Sequence, residues 1–137
     1  MEYTALNKDN FKHYLPDLKD IVAFSYAEPG AMGYRGQIII IPLNGGIYTL
    51  ETLDDEFTSE NIYEICPVFK DCKFSPWFGN YVVPEGWSIY YLGSGNHLVV
   101  KESFKDSIDK KIEELNHSWE LYSCWKEVIL ETIQRLN

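Results

Sequence analysis

The chain has 137 residues, 45% of them hydrophobic, and 21 acids against 12 lysines and arginines leave it a net charge of −9. That size suits one domain over residues 1–137, with a core large enough to need no disulfide staples. The charge argues against a nucleic-acid binder, which needs a basic stripe, and the longest apolar run, Ile38 to Leu43, falls far short of the roughly 20 residues that span a membrane as a helix.

The opening MEYTALNKDN has neither the basic start nor the apolar centre of a secretory signal. Cys66, Cys72 and Cys124 form an odd, irregular set that suits thiols packed as small hydrophobes in a reducing compartment. A cytoplasmic protein is expected. After Arg35 no lysine or arginine occurs until Lys70, while Glu51, Asp54, Asp55, Glu56, Glu60 and Glu64 fall between them. Much of the negative charge is therefore concentrated in one stretch.

In chain order, Asn7 or Asp9 can cap a short helix that runs through Leu15, because Pro16 biases the residue before it away from helical geometry. IVAFSYA, ending at Ala27, reads as a strand, with Val22, Phe24 and Tyr26 on one face by alternation. A glycine-rich loop follows, then QIIIIPL, Asn44-Gly45-Gly46 and IYTLETL, which form a hairpin because Asn and Gly tolerate the positive φ of its turn. Four successive isoleucines, Ile38 to Ile41, imply a central strand covered on both faces.

Thr58 or Ser59 can cap a helix over Glu60 to Cys66, ended by Pro67. The stretch from Lys70 to Gly86 reads as loop with a short strand at Tyr81 to Val83. A second hairpin joins WSIYYLG to HLVVKES about Gly93-Ser94-Gly95-Asn96. From Phe104 to Leu136, apolar residues recur every three or four positions, one face of an amphipathic helix.

Unbroken, that helix would extend about 48 Å, more than the diameter of about 37 Å expected for a compact domain of this length. A break near Asn116-His117-Ser118 is therefore favoured, and a continuous helix would instead seek a partner copy. The fold class is α+β: an antiparallel sheet of about four to six strands built from hairpins, a short N-terminal helix, and a long C-terminal helix or helix pair packed on the sheet.

The loop from Pro29 to Gly36, with Arg35 as a forked donor, could cradle an anion, yet its spacing matches neither the P-loop nor the dinucleotide fingerprint. Asp54, Asp55 and Glu56, with Glu60 and Glu64, read first as solvated surface, then as an acidic face for a partner and last as a divalent-cation site, because they lack the spacing and central glycine of a calcium loop. Seven aromatics lie between Phe74 and Tyr91, where rings on loops serve as contact anchors or cover the sheet. His97 reads as a surface histidine beside a turn, with no signature joining it to Ser94 or Cys72 in nucleophilic catalysis. The cysteines and histidines miss the close pairs of zinc sites, so neither metal nor cofactor is expected.

Three functions remain open. In the first, a small binding or inhibitory protein sets Asp54, Asp55, Glu56, Trp77, Phe78 and Trp87 against a basic protein partner. Its size and charge are similar to those of toxin-immunity and phage counter-defence proteins, without a shared motif. The second is a small-molecule pocket, nucleotide-like in its ligand, built from Tyr34, Arg35, Trp77, Trp87, Tyr90 and Tyr91. The third is a structural subunit that forms a homodimer through its C-terminal helices.

Overall fold

A computed structural model describes residues 3–27, 36–43, 45–51, 57–74, 81–91 and 96–116, together with 132, 133 and 135. The architecture is α+β. Strands β1 (Thr4–Ala5), β2 (Ile21–Ala27), β3 (Gln37–Pro42), β4 (Tyr48–Glu51), β5 (Trp87–Tyr91) and β6 (Asn96–Lys101) form one sheet in the order β1-β4-β3-β2-β6-β5. Every neighbouring pair is antiparallel except β1 with β4. The helices are α1 (Phe11–Tyr14), α2 (Ser59–Ile65), α3 (Pro67–Lys70) and α4 (Lys105–Asn116).

The isoleucine run is β3, and it is central, with β2 on one side and β4 on the other. Successive side chains on a strand point to opposite faces. Ile38 and Ile40 accordingly join Phe24, Leu50, Val99, Ile62 and Ile65 beneath α2, whereas Ile39 and Ile41 join Leu98, Val100 and Ile108 beneath α4. All four isoleucines are buried, and each contributes about 1.5–3 kcal/mol on leaving water.

The hairpin turn between β3 and β4 contains Gly45 at φ +89° and Gly46 at φ +86°. At Gly46 a side chain would also meet the buried ring of Tyr48, with its Cβ 3.1 Å from Cε2. At α2, the Thr58 side chain accepts from the Asn61 backbone N–H and the Asn61 side chain accepts from the Thr58 N–H. Two orphan donors are satisfied reciprocally.

Three local expectations change. The N-terminal helix begins at Phe11, after a turn in which the Asn7 side chain accepts from the backbone of Asp9 and Asn10. It passes at Leu15 into a 3-10 turn through Leu18, in which Pro16 stands near the start, where a missing N–H costs nothing. Val22 does not share a face with Phe24 and Tyr26: the pairing of β2 with β3 slips between Ile21 and Ala23, and Val22 packs under α4. The strand expected at Tyr81 to Val83 reduces to a bridge between Lys73 and Val82.

Helix α4 has 12 residues. Ile133 is fully buried in the same cluster as Ile108, although one straight helix would hold the two about 38 Å apart. Positions 117 and 118, where a break was expected, lie outside the described residues. Among the described residues no helix is long and apolar enough to cross a membrane.

Candidate binding edge

The strand registers align one end of five strands. Glu51 pairs with Gln37, Gln37 with Ala27 and Ala27 with Asn96, and one step further Tyr91 pairs with His97. Neighbouring strands lie about 4.8 Å apart, so this row from β4 to β5 measures about 19 Å. Its residues flank segments 28–35, 52–56 and 92–95.

His97 stands at the centre of an aromatic cluster on this edge. It is fully buried, with its ring centroid 4.9 Å from Phe74, 5.2 Å from Tyr91, 5.3 Å from Tyr81 and 6.1 Å from Tyr26. Its Nδ1 lies 3.4 Å from the Tyr26 carbonyl oxygen. The expected surface histidine is thus a core one, because β2 and β5 flank β6 and their tyrosines close over the imidazole. Phe69 of α3 extends the cluster, 5.1 Å from Tyr26 and 5.7 Å from Phe74. Tyr91 stacks on Tyr81 at 6.3 Å and is the exposed member, 48% accessible.

Of the residues singled out from sequence, Tyr34, Arg35, Asp54, Asp55, Glu56, Trp77 and Phe78 lie outside the described residues, as do Ser94 and Cys124. Trp87, Tyr90 and Tyr91 share β5 but not a surface. Trp87 opens the strand opposite Lys101, at the far end from Tyr91, and packs half-buried against the core beside Ile21 and Val68. Tyr90 packs on the opposite face, against the α4 cluster, where its hydroxyl donates to Asp109. These three rings do not line one pocket.

Sequence reasoning passed over Tyr26 and Phe69 as site residues. The available signal was alternation in β6, which puts His97 on the same face as Val99, but nothing local joins it to Tyr26, 71 positions away. Cys66 is sealed in the core, and burial pushes its thiol up to about 12, while half-burial pushes Cys72 to about 11. Such thiols stay protonated near neutrality and are poor nucleophiles. Among the described residues no group of three or more His, Cys, Asp or Glu side chains is placed to hold a metal ion. No protein-family model, curated protein or solved structure matches the chain.

Proposed function

We propose that the chain is a binding protein that offers the β4-to-β5 edge to a basic protein partner, with acidic and aromatic side chains side by side. The reading is carried by the shared edge of the strand ends. Asp54 follows Glu51 by three residues, Trp77 follows Phe74 by three and Phe78 precedes Tyr81 by three, and a chain reaches at most about 11 Å over that length. We read the acidic run and the two rings, each three residues along the chain from Glu51, Phe74 or Tyr81, as belonging with exposed Tyr91 to one contact surface.

The aromatic rings supply buried area at the contact, and the carboxylates speed the encounter by attracting the partner's bases. Trp87 is left out of this surface because its ring serves the core at the other end of β5. The small-molecule reading loses support for a related reason, since Tyr90 and Tyr91 face opposite sides of the sheet.

The test is recovery of a tagged chain from its native host, in parallel with Tyr91→Ala and with the triple variant Asp54→Asn, Asp55→Asn, Glu56→Gln. The expected result is a basic protein retained by the parent and lost from both variants, with association slowed tenfold or more by raised salt. Both variants should melt close to the parent. Retention of the same partner by both would overturn the reading.

A further inference from the structure

We propose that the groove where α3 meets the opening of β5 binds an apolar α-amino acid unit through its free carboxylate. The groove has a volume of about 210 Å³ and is lined by Ile21, Val68 and Trp87 together with Lys19, Asp20 and Lys101. It stands at the opposite end of β5 from Tyr91, so it is separate from the edge assigned to the protein partner.

Backbone contacts hold the chain segments that build it. The Leu43 N–H donates to the Asp20 carbonyl at 2.6 Å, and the Glu102 N–H donates to the Gly86 carbonyl at 2.9 Å. Trp87 and Lys101 are direct cross-strand partners, while β2, which Lys19 and Asp20 lead into, runs beside β6. Ile21 and Val68 pack with Trp87 at the core beneath α2, which leaves the indole half-buried. None of the side chains of Lys19, Asp20 and Lys101 is held by a hydrogen bond or ion pair among the described residues. Glu85 and Glu102 are near neighbours in sequence but do not line the groove.

Charges of both signs beside an apolar wall match the two ends and the side chain of an amino acid. The lysine ammonium groups can donate to the carboxylate, and Asp20 accepts from the α-ammonium or, at a peptide end, from the last backbone N–H. The apolar side chain covers Ile21, Val68 and the indole. A simple inorganic anion would leave that wall unused and meet Asp20 unopposed. The groove holds about seven waters at about 30 Å³ each, and it is smaller than the about 300–1,000 Å³ of sites for drug-sized ligands. One residue is the unit that fits.

Two-dimensional NMR of the indole N–H groups of the full chain tests the proposal, with the Trp87 signal identified by its loss in Trp87→Phe. The probes are L-phenylalanine, its N-acetyl derivative and its carboxamide. A saturable shift of the Trp87 signal is expected with the two carboxylates and not with the carboxamide. The double variant Lys19→Gln, Lys101→Gln should weaken binding at least tenfold, and Asp20→Asn should weaken that of the free amino acid about threefold. Lys110→Gln on α4 should leave it unchanged. Lys19 and Asp20 are exposed and Lys101 is half-buried, so these replacements spare the core. Equal or tighter binding of the N-acetyl form assigns the ligand to peptide ends, and weaker binding assigns it to free amino acids; both support the groove. No saturable shift with either carboxylate, equal binding of the carboxamide, or binding that survives the lysine replacements would overturn the proposal.

Discussion

The Tyr90 hydroxyl donates to Asp109 Oδ1 at 2.6 Å, and Lys105 Nζ donates to the other oxygen of the same carboxylate at 2.6 Å. The first contact fastens edge strand β5 to α4, and the second, one turn apart within α4, holds the carboxylate that receives it. Burial and the Asp109 hydrogen bond raise the Tyr90 phenol well above its ordinary range, while Lys105 and then Tyr90 hold the Asp109 carboxyl below its own.

Tyr90→Phe keeps the ring and removes the tie. The surroundings are partly open to water, so the expected cost is about 1 kcal/mol, a fall of about 3–5 °C in Tm. Circular dichroism melts measure it; a variant that melts with the parent would show that water replaces the contact at no cost.

Ile108 and Ile133 belong to one buried cluster although 25 positions separate them. Ile133→Ala should therefore destabilise as a core truncation does, by about 2–5 kcal/mol, like Ile108→Ala. Since the two residues share a cluster, the double variant should depart from the sum of the singles. Urea titrations of all three supply the comparison, and an Ile133→Ala cost below half a kilocalorie would contradict its place in the core.

Stability should fall above pH 9. Cys66 has an ordinary value of 9.0 and burial raises it to about 12 in the folded chain. Below pH 9 the thiol is protonated in both states and its contribution is fully present. Above pH 9 the unfolded chain releases the proton first, so stability declines until the folded value is passed, by up to about 1.4 kcal/mol per pH unit for this group. Cys72, Tyr48 and Tyr90 are raised too and act in the same direction. Unfolding by urea at pH 8, 9, 10 and 11 should show the decline, and Cys66→Ala, though less stable at pH 8, should lose less across the series.

Local pattern carried much of the fold. The two hairpins, the Thr58 cap and the two-sided burial of Ile38 to Ile41 follow from turn chemistry and side-chain alternation, which act over a few residues. Val22 shows where that reasoning stops: the slip between Ile21 and Ala23 is a pairing event, and alternation within β2 carries no trace of its partner's register.

What the sequence determined by itself is a set of elements with their apolar faces, an odd and irregular set of cysteines and a concentration of acid between Arg35 and Lys70. The tertiary structure alone decided that His97 is sealed among Tyr26, Phe74, Tyr81 and Tyr91, that Trp87 and Tyr91 stand at opposite ends of one strand, and that Ile133 returns to Ile108. The short N-terminal strand, parallel to β4 through bonds from Thr4 to Ile47 and from Leu6 to Thr49, is of the same kind. The reason is range: propensity and periodicity act between neighbours along the chain, whereas these contacts join distant segments whose meeting is set by how the whole apolar surface leaves water.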